Sequence, residues 1–320
     1  MASIANENWN AREVRGKLKD QTEKTPGWLD WVQDRQEPAV RLPTGTVDAH
    51  CHVFGPAAEF PFAPGRKYTP GDASKTDLEH LRHDLGVTRN VIVQASCHGR
   101  DNAALLDALD HFGETARGVV AIGSDVSERQ LKDMHNRGVR GVRFNFVKRL
   151  VESQPFEEVE LVAAKIRELG WHIVVYFESP NLPDLADFLA NLNVPLVIDH
   201  LGRPDLAKGA SSAEYSAFLK FVDRTDDWVK VSCPERLTIT GPYAVAGAHE
   251  VYTDVAPFAQ KAIAEFPERV LWGTDWPHPN LRSHMPDDAV LLNYLRQITS
   301  DPSARQRLLI DNPMALYWEK

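Results

Sequence analysis

The chain has 320 residues, 43% of them hydrophobic, enough for a large core in one or two domains. Its 45 acidic residues outnumber its 36 lysines and arginines, a formal net charge of −9, which argues against nucleic acid, whose phosphates demand clustered cations. No run approaches the ~20 apolar residues of a membrane span.

Residues 1–45 read as an irregular arm, polar and charged, with Trp9, Trp28 and Trp31 scattered through it and a short helix expected over 7–23. The arm lacks the apolar stretch of a secretory signal. Three cysteines, Cys51, Cys97 and Cys233, match neither a disulfide framework nor a C-x-x-C zinc site, so a cytoplasmic location is expected. From residue 46, β-rich runs alternate with helical ones. Strands are expected over 46–53, 90–96, 118–122, 141–146, 172–177, 195–199, 228–232 and 270–274. Helices are expected over 75–85, 103–112, 128–136, 159–169, 182–190, 213–225, 252–266 and 288–298. Most strand runs are continuously apolar, as in parallel strands covered on both faces. The alternation predicts an α/β fold, a (β/α)8 TIM-type barrel forming one domain over 46–320. An open doubly wound sheet would carry a glycine-rich phosphate turn after the first strand; Asp48-Ala49-His50-Cys51-His52 stands there instead.

In such a barrel the chemistry sits at the C-terminal strand ends. Strand one ends in His50-Cys51-His52, with the two histidines on one side of the strand and Cys51 on the other. Strand two ends in Ser96-Cys97-His98, and strand four carries Arg143 and Asn145 on one face with Lys148 and Arg149 beyond. Strand five carries Tyr176 and Glu178, strand six ends in Asp199-His200, and strand seven leads to Cys233 and Arg236. Strand eight ends in Thr274-Asp275-Trp276-Pro277-His278. One histidine alone would be an ordinary core or rim residue. Three histidines and an aspartate at strand ends form a candidate catalytic set: His50, His52, His200 and Asp275. Cys51 and Cys97 read as small packing residues rather than nucleophiles. Arg149 and Arg236 fit rim ion pairs as well as ligand contacts, and His98 and His278 fit either supporting or purely structural roles.

The His50-x-His52, His200 and Asp275 pattern resembles the amidohydrolase superfamily. Longer strings narrow the likeness to the 2-pyrone-4,6-dicarboxylate lactonases (hydrolases). They include Asn90-Val-Ile-Val-Gln-Ala-Ser-Cys-His-Gly99, Gly141-Val-Arg-Phe-Asn-Phe-Val-Lys-Arg-Leu150, Cys233-Pro-Glu-Arg-Leu237, Trp272-Gly-Thr-Asp-Trp-Pro-His-Pro-Asn280 and Asp311-Asn-Pro-Met314. The likeness runs over residues 46–318, and the arm up to Gln36 is longer than the family leads one to expect. The resemblance implies reversible hydrolysis of 2-pyrone-4,6-dicarboxylate to 4-oxalomesaconate, in the protocatechuate 4,5-cleavage route for lignin-derived aromatics, without metal or other cofactor. Its partner is then a small anionic lactone, with no nucleic acid or membrane and an open question of homo-oligomer formation. Arg143, Arg149 and Arg236 would hold the carboxylates, helped by the hydroxyls of Ser96, Tyr176 and Tyr68.

Chemically, Asp275 is the expected general base for water, and His50, His52 and His200 polarise the carbonyl, with at least one imidazole protonated or donating an N–H. Metal independence is expected from the cationic Arg143 and neutral Tyr176, which stand where metal-bearing relatives often place ligands. The same His50, His52, His200 and Asp275 could alternatively hold one zinc. A metal-dependent lactonase for an anion such as 4-sulfomuconolactone, a metal-dependent decarboxylase, and a barrel that binds without turnover are the competing readings.

Overall fold

The structure is a computed structural model that describes residues 23–147, 149, 155–225 and 227–319. The helix expected over 7–23 lies outside the described residues but for its last position.

Eight parallel strands run in the order in which they occur in the chain. They are β1 (Val47–Cys51), β2 (Arg89–Val93), β3 (Ala116–Val120), β4 (Val139–Asn145), β5 (His172–Tyr176), β6 (Leu196–Ile198), β7 (Trp228–Lys230) and β8 (Val270–Leu271). The ring closes through the segment after β8: Ala49 donates its amide to the Trp272 carbonyl at 2.9 Å, and the Asp275 amide donates to the His50 carbonyl at 2.8 Å. Helices α1 (Lys75–Leu85), α2 (Ala103–Phe112), α3 (Glu128–Asn136), α4 (Phe156–Ile166), α5 (Leu182–Ala190), α6 (Ala213–Thr225), α7 (Pro234–Leu237) and α8 (Ala256–Glu265) follow the strands. Then come α9 (Asp288–Leu291), α10 (Tyr294–Ile298), α11 (Pro302–Gln306) and α12 (Asn312–Tyr317). The (β/α)8 barrel expected from the alternation is the observed fold. Among the described residues no helix is long and apolar enough to cross a membrane.

Alternation along the strands sorts side chains between two compartments. Val91, Val119, Val174, Val197 and Leu271 form one apolar cluster inside the barrel, with Leu316 and Tyr317 of α12. Ile92, Val120, Val175 and Ile198, one residue away on the same strands, pack in the larger cluster under the helices. In β1 the phase slips. Val47 and Ala49 belong to the inner cluster and Cys51 to the outer one, and the register shifts between Asp48 and Cys51. Such an irregularity re-aims side chains, and His50 and His52 both turn to the mouth. Gly273 makes room for this turn: a Cβ there would meet the His50 backbone nitrogen at 2.4 Å.

Most strands stop two or three residues before the expected ends; β8, for example, ends at Leu271 rather than at 274. The polar residues at these ends leave the ladder to face one another. His200, Cys233 and Asp275 all adopt left-handed backbone, with φ of 52°, 64° and 66°. Bends of this kind cost of order 1–3 kcal/mol each for non-glycine residues.

Candidate active site

The strand ends converge on a small cavity at the barrel mouth. His52 comes from just after β1, Ser96 from the turn after β2, Arg143 and Asn145 from β4, and Tyr176 from β5. His200 follows β6, Arg236 lies in α7, and Asp275 and Asn280 follow β8. Tyr68 and Arg149 reach in from the loops after β1 and β4. Every candidate residue from the sequence lines this cavity except His50, which is fully buried behind it.

Asp275 is the hub. Its Oδ1 stands 3.4 Å from His50 Nε2, 3.5 Å from His52 Nε2 and 3.8 Å from His200 Nε2. Its Oδ2 accepts from Arg236 Nε at 2.9 Å and from the Cys233 thiol at 3.3 Å. Arg236 also donates to Asn280 Oδ1 at 3.2 Å. Burial would raise the Asp275 carboxyl, but the Arg236 guanidinium and a hydrogen bond with His52 outweigh it and hold the group well below the ordinary carboxylate range.

The far nitrogen of each histidine is also held. His52 Nδ1 donates to the Val93 carbonyl at 2.7 Å, so that nitrogen carries a hydrogen. His200 Nδ1 lies 3.0 Å from Ser232 Oγ. His50 Nδ1 lies 3.2 Å from Asp199 Oδ1 and 2.9 Å from Lys230 Nζ. Asp199 is shared further: Lys230 Nζ is 3.2 Å from its Oδ1, and Arg143 Nη2 is 3.0 Å from its Oδ2. Burial and the nearby Lys230 cation push His50 well below its usual value, and burial pushes His200 down to about 3. Both rings are therefore neutral at pH 7, and neither is the imidazolium that the sequence reading allowed.

A family model described as amidohydrolase matches residues 47–318. The chain belongs to the amidohydrolase family. A 2-pyrone-4,6-dicarboxylate hydrolase from Comamonas testosteroni is 56% identical over 299 residues, covering 93% of this chain and 98% of the relative. A 4-sulfomuconolactone hydrolase from Rhizobium radiobacter is 34% identical, covering 86% of this chain and 91% of its own. A solved structure from Agrobacterium tumefaciens, 29% identical, superposes with a TM-score of 0.73 over 88% of this chain and 98% of that one. This amidohydrolase is thus a hydrolase closely related to the 2-pyrone-4,6-dicarboxylate hydrolases.

The expectation of metal independence is corrected by the amidohydrolase cluster itself. His50, His200 and Asp275 present one ligand atom each, all within 4.8 Å of one another and all buried. Two neutral imidazoles and an ionised carboxylate are the protonation states that bind a divalent ion. His50 Nε2 is buried without a hydrogen-bond partner among the described residues, as a ligand atom would be. Second-layer hydrogen bonds that fix each ring are the usual accompaniment of a metal-binding histidine. Cys233, Glu235 and Asp275 form a second such group, although Arg236 already bonds its Asp275 oxygen. From sequence alone Arg143 is a cation facing the metal position. In the fold that charge is answered by Asp199, and Lys230 and Arg236 bind the outer atoms of His50 and Asp275, leaving Nε2 and Oδ1 facing inward.

Other parts of the amidohydrolase site were not singled out from sequence. Lys230 is fully buried in β7. The signal that drew attention to Arg143, a charged residue inside a strand, applied to it equally. Arg203 donates to the Tyr176 hydroxyl oxygen at 2.9 Å and lies 3.4 Å from Glu178, which also stands 3.6 Å from Arg149. A hydroxyl that accepts there keeps its own hydrogen for the cavity. His278 lies between Glu235, 3.3 Å from Nδ1, and Asp288, 3.1 Å from Nε2. Burial opposes its charge, but the two carboxylates prevail and push it up to about 10. His98 packs against Phe62, with ring centroids 4.8 Å apart. All three cysteines are buried and unpaired. Burial pushes the Cys51 thiol well above its usual value and that of Cys97 up to about 12, so neither is a thiolate nucleophile.

Proposed function

We propose that this amidohydrolase opens 2-pyrone-4,6-dicarboxylate, or a close anionic analogue, by hydrolysis of its lactone, with a divalent cation held by His50, His200 and Asp275. The product of the pyrone reaction is 4-oxalomesaconate, as in the protocatechuate 4,5-cleavage route. The observation that carries this reading is the division of Asp275: one oxygen faces three imidazoles, the other is bound by an arginine in the cavity wall. The unpaired buried cysteines support a reducing cytoplasm as its location.

The chain's own groups divide the work. Arg149, half exposed at the rim, and Arg236 offer guanidinium N–H groups to ligand carboxylates, and Ser96, Tyr68 and Tyr176 add hydroxyls. Burial pushes the Tyr68 and Tyr176 phenols up, so both remain protonated donors. Arg143 is already committed to Asp199 and to the Gln94 carbonyl at 3.3 Å, so it braces the cavity wall. Asp275 Oδ1 is placed to accept the proton of the attacking water. A carboxylate held that low is a weak base for ordinary water, and a bound cation would supply the missing drive by polarising the carbonyl and acidifying water. His52, its Nδ1 committed to Val93, presents Nε2 beside the reacting centre. As the ring ester C–O bond breaks, the leaving enolate is stabilised by conjugation.

A second reading, hydrolysis of 4-sulfomuconolactone, is favoured by the 34% identical relative and by arginines that would bind a sulfonate as well as a carboxylate. Separate incubation of the purified protein with each lactone, with ring absorbance and metal content measured, tests both. We expect the pyrone to have the higher kcat/KM. Chelation should abolish turnover and zinc restore it. No turnover of either lactone would sink the reading, and undiminished activity in metal-free protein would remove the cation from it.

A further inference from the structure

The described part of the arm clasps the two loops that complete the cavity. Between Phe54 and Ala73, paired by a single bridge, the loop after β1 has no regular strand or helix, and the segment from 272 to 287 is likewise irregular. Arm residues bond both. The Thr25 amide donates to the Thr69 carbonyl at 2.9 Å, and Thr25 Oγ1 accepts the Thr69 amide at 2.8 Å. Thr69 adjoins the cavity-lining Tyr68. The Leu29 amide donates to the Leu281 carbonyl at 2.9 Å, next to Asn280, the partner of Arg236. Trp31 joins the two sides. Its Nε1 donates to the Asp72 carbonyl at 3.1 Å, and its ring meets that of Trp276 edge-on at 5.3 Å, directly after Asp275. Trp28 stacks beneath the Arg282 guanidinium at 3.9 Å.

We infer that arm residues 25–31 preorganise these two loops for the dianionic ligand, with Trp31 as the positioning residue that couples them. The ligand in this inference rests on the proposed function; the clasp does not. Irregular loops that must order on binding lower affinity, whereas loops already held do not. Removing the clasp should therefore weaken binding more than it slows the bound reaction.

The test compares full-length wild type with Trp31→Ala and Trp31→Phe. Three quantities are measured: the Kd for isophthalate, a planar dicarboxylate that cannot be hydrolysed; the amide exchange of residues 66–73 and 279–282; and Tm. Trp31→Ala should weaken isophthalate about tenfold, the scale expected when a loop must order on binding. Exchange should quicken in those two loops alone, KM for the lactone should rise more than kcat falls, and Trp31→Phe should restore most of the affinity. Unchanged affinity or unchanged loop exchange in Trp31→Ala overturns the inference, as does a failure of Trp31→Phe to restore it. Faster exchange throughout the strands would make the arm a general staple and overturn it too, as would wild type that fails to bind isophthalate. If wild type binds isophthalate in the expected pattern but hydrolyses no lactone, the proposed function falls and the arm's role stands.

Discussion

The two ends of the barrel are made by the same strands and do opposite work. At one end Val91, Val119, Val174, Val197 and Leu271 pack under Leu316 and Tyr317. At the other, the next residues along the same faces are polar or charged. Val174 is followed on its face by Tyr176, and Val197 by Asp199. The apolar end gains stability from burial. The polar end bears left-handed bends and buried ions, costs that the packed end must offset. Substitutions should therefore separate cleanly into those that remove activity and those that remove stability.

The largest expected effect is at the polar end. Asp275→Asn should lower kcat about 10²- to 10⁴-fold, the range for loss of a positioned general base, with a smaller change in KM. Near-normal steady-state turnover would require another base. At the apolar end, Leu316→Ala should cost about 2–5 kcal/mol in denaturant unfolding, the usual cavity penalty for a fully buried leucine. Its kcat/KM should match wild type below the unfolding transition; a parallel loss of both would show that the two ends are coupled.

A third effect concerns pH. His278 is raised in the folded state to about 10, so its contribution to stability is complete below the unfolded value near 6.5. It should be lost as pH rises from there to about 10, with a slope of at most about 1.4 kcal/mol per pH unit. Unfolding free energies across that window, flattened in His278→Gln, would check it. The smallest effect belongs to the rim. Arg149→Gln should raise KM about three- to tenfold, less at high salt, because an exposed guanidinium is screened. An insensitive KM would remove Arg149 from ligand binding.

Much of this architecture was legible because its signals are local. Continuous apolar runs marked buried parallel strands, and the period of two placed His50 with His52 and Arg143 with Asn145. Strand lengths were overread at the C-terminal ends, since runs such as the one ending at Asp199 look extended in sequence but bend to bring their side chains together. The arm's purpose was not legible at all: nothing in Trp31 itself announces Trp276 as its neighbour.

What the sequence determined by itself is the order of elements, the barrel, and the set of polar groups delivered to one end, because backbone periodicity and turn chemistry act over a few residues. What the tertiary structure decided is the state of those groups. Lys230 meets His50 across 180 residues, and Arg143 gives its charge to Asp199 rather than to a metal position. Burial makes His50 and His200 neutral, turning an expected metal-free cluster into one suited to a cation. Charge and protonation depend on distance and solvent exclusion, and neither exists until the chain has closed on itself.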